Sequence, residues 1–142
     1  MIMKQTNEEL LLQDLCARLP YGVKLWHESY VDLITLHSID ATQFAVEISI
    51  DNSNSNTAFW NSIEQVKPYL FPLSSMTEEQ KYICPIGVGN LETFIEKESW
   101  SYLELNFDSI LRFIDWLNKN NFDYRGLIEK GLALDCTKLN IY

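Results

Sequence analysis

The sequence predicts an α+β fold: a small antiparallel sheet of three or more strands, packed against an N-terminal helix and a C-terminal helical hairpin. Three observations predict it. Between Val23 and Ile50 apolar and polar residues alternate with the two-residue period of half-exposed strands. Ahead of that region Leu12, Leu15, Cys16 and Leu19 form a helical stripe. Well after it, Ile110, Phe113, Ile114 and Leu117 recur at i, i+3, i+4 and i+7, a second stripe.

The first helix opens near Thr6 or Asn7. Thr6 and Glu9 have capping-box spacing, in which each side chain satisfies the other residue's free backbone N–H, and Pro20 ends the helix. In the next stretch Val23, Leu25 and His27 alternate with Lys24, Trp26 and Glu28. Ile34, Leu36 and Ser38 share one face of a second strand, with Leu33, Thr35 and His37 on the other. Asp40 to Gln43 reads as a turn, and Phe44, Val46, Ile48 and Ile50 carry the clearest alternation of all. Asp51 to Asn56 is a polar loop. Residues 63–73 contain Pro68 and Pro72, which cannot donate to a ladder, so an edge strand or irregular segment is expected there. Thr77 and Gln80 repeat the capping-box spacing at a short helix that Pro85 closes, and Pro85 to Gly89 reads as a turn. Residues 90–106 read two ways: Leu91, Phe94 and Ile95 suit a helix, while Tyr102, Leu103 and Leu105 suit extended chain. Asn118 to Asn121 then interrupt the last stripe and Phe122 resumes burial. Asp123 is placed to cap a second, shorter helix holding Leu127 and Ile128, with Gly131 stopping it in a left-handed conformation.

Residues 1–142 fit one domain whose apolar content suffices for a packed core without metal or disulfide help. Twenty acidic against eleven basic residues give a net charge of −9, dispersed along the chain. Dispersed acidity is foremost a solubility feature. Direct nucleic-acid binding needs clustered Lys and Arg, which the chain lacks, so it is not expected. An acidic imitation of nucleic acid would need carboxylates arrayed at phosphate-like spacing on one face. Cys16, Cys84 and Cys136 are odd in number, widely spaced and without a C-x-x-C pair, the pattern of free thiols in a reducing compartment. The N-terminus lacks a signal-peptide pattern and no segment has the run of apolar residues a membrane span needs, so a cytoplasmic location is expected.

Motifs that carry chemistry mostly fail on inspection. His27-Glu28 begins like the H-E-x-x-H zinc helix, but position 31 is Val. His27 and His37 on adjacent strands would need companion Cys or carboxylate ligands, and none clusters with them in sequence, so no metal is expected. The loop from Asp51 has Asn56 and Ser62 where a calcium loop has Gly and Glu. Gly87-Val88-Gly89 lacks the third glycine of a dinucleotide-binding loop, and no cofactor is expected. Cys16 and Cys136 are read as structural thiols, Cys16 on the buried stripe of the first helix. One candidate remains: Asp123-Tyr124-Arg125, a polar cluster beside an apolar block, in which Arg125 suits a carboxylate or phosphate and Tyr124 suits stacking. The bland alternative is an N-cap aspartate and an arginine that pairs across the turn. The aromatics Phe59, Trp60, Tyr69, Phe71, Trp100 and Tyr102 are assigned mostly to the core, and any left exposed together would mark a partner surface.

Three blocks carry a resemblance: Leu15 to Lys24 (LCARLPYGVK), Lys67 to Glu79 (KPYLFPLSSMTEE) and Asp115 to Leu134 (DWLNKNNFDYRGLIEKGLAL). They resemble a family of uncharacterised proteins encoded by phages, prophages and mobile elements of anaerobic gut bacteria. The blocks make up somewhat under a third of the chain. The family often has Arg at the position of Phe71, His-His at Asn120-Asn121, and a Pro-Glu-Gly-Met-Tyr ending in place of Thr137 to Tyr142. The resemblance implies a gene context and assigns no catalytic residue. The function expected from all this is that of a non-enzymatic accessory or protein-interaction protein. A small ligand binder or enzyme built on Tyr124, Arg125 and a nearby carboxylate is one alternative, and an acidic nucleic-acid mimic is the other.

Overall fold

The computed structural model describes residues 4–51, 58–97 and 105–142. Four α-helices and seven strands follow one another among them, besides three single-turn 3-10 helices: α1 (Asn7–Arg18), β1 (Lys24–His27), β2 (Ile34–Asp40), β3 (Ala45–Ile50), β4 (Ala58–Ser62), β5 (Val66–Pro72), α2 (Glu78–Ile83), α3 (Val88–Lys97), α4 (Phe107–Lys119), β6 (Phe122–Asp123) and β7 (Leu134–Asp135). The class is α+β, as the periodicities predict. The sheet, however, is larger than a small meander and is mixed. Its order is β4-β3-β2-β1-β5-β6, antiparallel from β4 to β5, with β6 and β7 both joining β5 in parallel.

Strands β4 to β7 depart from the sequence reading, β6 and β7 because two residues carry no alternation. β4 pairs on one side only, with β3, and most of its residues are exposed, so no buried face imposes an alternation. The polar loop before it lies at residues 52–57, outside those described. β5 holds both prolines and is nonetheless interior, with Val66 to Pro68 opposite β1 and Tyr69 to Pro72 opposite the two-residue strands β7 and β6. The ladders on β5 are short and staggered, so the donors missing at Pro68 and Pro72 interrupt no long run of bonds.

α1 begins with the capping box that Thr6 and Glu9 predict, both halves formed. Its buried stripe is offset from the predicted one: Leu11, Asp14, Leu15 and Arg18 face inward, and Cys16 is exposed. Leu11 and Leu15 meet Leu25, Ile34, Leu36, Val46, Ile48, Val66 and Leu70 on one face of the sheet. A second core lies around α3 and α4, where Leu91, Phe94, Phe113, Leu117 and Phe122 pack with Met76, Cys84 and Ile86. Phe94 and Phe113 meet edge to face at 5.2 Å, a favourable ring geometry. α2 carries the second predicted capping box, between Thr77 and Gln80. Residues 98–104, including Trp100, Tyr102 and Leu103, lie outside those described, so the choice between helix and extended chain is made only for Val88–Lys97, which is helical.

The second arm of the predicted hairpin shrinks to a single turn. Leu127 N–H donates to Asp123 Oδ1 and Ile128 N–H to Asp123 Oδ2, the capping that the sequence anticipates. Gly131 N–H donates to Ile128 O and Leu132 N–H to Leu127 O, a Schellman termination. Gly126 (φ +73°) and Gly131 (φ +74°) are both left-handed, and the four residues between them cannot hold a longer helix. No helix among the described residues is long and apolar enough to cross a membrane.

Candidate functional site

The offset stripe of α1 carries two charges into the interior. Asp14 and Arg18, one helical turn apart, are both fully buried and make a two-pronged ion pair. Arg18 Nε donates to Asp14 Oδ2 at 2.8 Å and Nη2 to Asp14 Oδ1 at 3.1 Å. Arg18 Nη2 also donates to Phe122 O at 2.7 Å, which ties α1 to β6. Arg18 Nη1 is buried with no partner among the described residues. Burial of an ion pair is stabilising only where such geometry offsets desolvation, and here three of the contacts are short and well placed.

Arg125 completes the cluster from the other end of the chain. Its Nη1 donates to Asp14 Oδ1 at 2.9 Å and to the Tyr124 hydroxyl at 2.8 Å. The Tyr124 hydroxyl donates in turn to Asn118 Oδ1 at 2.8 Å, on the last turn of α4. Both guanidinium carbons stand over the Tyr124 ring, Arg125 at 4.6 Å and Arg18 at 5.5 Å, within range of cation–π attraction. One carboxylate, Asp14, thus faces two guanidiniums. Asp123, predicted to lie with Tyr124 and Arg125, has both oxygens turned to the N–H groups of Leu127 and Ile128. The pairing is across the fold, to helix one, and not across the turn.

Tyr124 and Arg125 line a cleft of about 450 Å³, within the range that small ligands occupy. Pro72, Leu73, Phe94, Ile95 and Ile128 form its apolar walls, and Ser74 and Glu129 stand with Arg125 among its polar groups. Sequence reasoning finds Tyr124 and Arg125 but misses Asp14, Arg18 and Asn118. A signal for the first two exists: Leu11, Asp14, Leu15 and Arg18 have i, i+3, i+4, i+7 spacing, so two charges interleave with two leucines on one face.

The other candidates separate. His27 is buried, with Nδ1 accepting from Ser29 N–H and Nε2 at 3.0 Å from Asn61 Oδ1. His37 is exposed beside Glu47, and the antiparallel β1–β2 register, with Lys24 opposite Thr35 and Leu25 opposite Ile34, carries the two histidines in opposite directions. Among the described residues no group of three or more His, Cys, Asp or Glu is placed to hold a metal. Cys84 and Cys136 are buried, and desolvation raises both thiols, Cys136 to about 11 with help from the nearby Asp135 charge. Cys16, despite its exposure, is also raised by partial desolvation. Phe59 and Trp60 on β4 are 38% and 54% exposed, not core as expected, whereas Tyr69 and Phe71 are half-buried. No protein-family model, curated protein or solved structure matches the chain.

Proposed function

We propose that this chain works by binding and not by catalysis, as a cytoplasmic accessory protein of a phage or mobile element, and that its contact site is the cleft of Tyr124 and Arg125. The observation that carries the reading is the state of Arg125. Asp14 and Tyr124 hold one of its nitrogens, while the side chain stays 18% exposed on the cleft wall. A charged group fixed in advance loses little freedom on binding, which favours recognition. Of the nearby carboxylates, Asp14 accepts from two arginines and Asp123 from two backbone N–H groups, which leaves neither poised as a general base, and Glu129 stands exposed at the cleft. The three resembling sequence blocks support the gene context, and the free cysteines are in keeping with a reducing compartment.

The test is retention from a bacterial extract on the immobilised protein, compared with Ser74→Trp. Ser74 is exposed on the cleft, so the indole fills the opening without disturbing either core. A retained species, small or macromolecular, that disappears with Ser74→Trp is the expected result. Retention that the indole leaves unchanged, or nothing retained at any ionic strength, refutes the assignment of this cleft.

A further inference from the structure

The ligand's chemical class can be read from the edge of the guanidinium that the protein leaves open. A guanidinium takes a carboxylate most strongly side-on, with Nε–H and one Nη–H parallel. Arg18 shows this geometry in the same cluster, using Nε and Nη2 on Asp14. In Arg125 only Nη1 is committed to the protein, and the Nε–Nη2 edge has no partner among the described residues. Neither of those nitrogens is among the buried unpaired atoms of the described residues, and Arg125 lines the cleft.

Charge and shape narrow the choice. Asp14 is shared between Arg18 and Arg125, so the three groups carry an excess of one positive charge. A single negative charge matches that excess. Glu129 and the field of a chain with net charge −9 repel any anion, and a doubly charged phosphate more strongly than a carboxylate. The remaining walls, Leu73, Phe94 and Ile95 among them, offer apolar surface in place of further donors. Resting on the binding reading above, we infer that the cleft takes a carboxylate carried on an apolar body, with the acid on the open edge of Arg125 and the body against Leu73, Phe94 and Ile95. A free organic acid and the C-terminal residue of a peptide share this chemistry.

Calorimetric titration of the full chain with 3-phenylpropanoate, its primary amide, phenethyl phosphate, and a short peptide ending in Phe as free acid or amide tests the assignment. The acids are expected to bind at least about tenfold more tightly than their amides, the effect of one charge-assisted pair. Arg125→Lys keeps a positive charge near Asp14 while losing the fork. It should weaken the acids by a similar factor, leave the amides unchanged, and keep the melting temperature close to that of the parent. Tighter binding of the peptide acid than of 3-phenylpropanoate identifies a protein C-terminus as the source, and equal binding identifies a small acid. Equal affinity for acid and amide, tighter binding of the phosphate, or no effect of Arg125→Lys overturns the carboxylate class. If none of these probes binds while the Ser74→Trp-sensitive retention persists, the ligand class is wrong and the binding site stands. If that retention is absent too, both fall.

Discussion

The asymmetry of the buried cluster makes a prediction that separates its members. Asp14 is the one carboxylate between Arg18 and Arg125, so Asp14→Ala leaves the fully buried Arg18 guanidinium without its counter-charge. Removing one partner of a buried ion pair costs about 3–5 kcal/mol, because the remaining charge stays desolvated. With an unfolding entropy of about 2.1 cal/mol/K per residue, a chain of this length has about 0.3 kcal/mol/K, so the melting temperature should fall by about 10–17 °C. Arg18→Met behaves differently. It removes a charge and its bond to Phe122 O, but Asp14 keeps Arg125 as a partner, so the loss should be clearly smaller. The double variant Asp14→Leu with Arg18→Met buries no isolated charge, and should be more stable than Asp14→Ala even though it carries more changes. Thermal melts and urea denaturation, both followed by far-UV circular dichroism, measure all three. A loss below about 1 kcal/mol for Asp14→Ala, the range of an exposed pair, would refute the argument that this ion pair is sealed from water.

Two further outcomes follow from the cores and from the C-terminal thiol. Deleting residues 107–142 removes Phe113, Leu117 and Phe122 from one core and Leu127 and Ala133 from the other, so the remainder should lose its cooperative melting transition; a truncated chain that melts as sharply as the parent contradicts this packing. Burial holds the Cys136 thiol protonated to about pH 11, whereas in the unfolded chain it ionises near its ordinary value of 9.0, so the unfolded state binds fewer protons in between. Stability should therefore decline as the pH rises from about 9 to about 11, and Cys136→Ala should flatten that decline in urea midpoints measured across the window. An unchanged slope would show that the thiol does not contribute.

Local chemistry was readable from the sequence where a residue acts on its own neighbours. Thr6 with Glu9, Thr77 with Gln80, and Asp123 with the N–H groups of Leu127 and Ile128 all bond within five positions, and all three are legible as spacing. The alternation of Val46 and Ile48 is equally plain, because one face of β3 is sealed and the other only half-buried. What escaped notice depends on partners far along the chain. Pro68 argues against an interior strand until the short ladders on either side of it are known. Asp14 and Arg18 look like surface charges, and the apolar count alone places the stripe of α1 one position too far along, on Leu12 and Cys16. Their burial is made possible by Arg125 and by the Phe122 carbonyl, which lie more than a hundred positions away. Of the cleft, the sequence points to Tyr124 and Arg125 but not to the carboxylate that orients them.

That long reach has a consequence for how the molecule is made. A chain leaves the ribosome from its N-terminus, and the first helix is therefore available early while its charged face still lacks the 104- and 111-residue-distant groups that receive it. Until those arrive, Asp14 and Arg18 are better solvated than buried, and the strands beneath lack the cover of Leu11 and Leu15. Docking of α1 is thus postponed until residues 122–125 have been made, and the sheet spends that interval with one apolar face less covered.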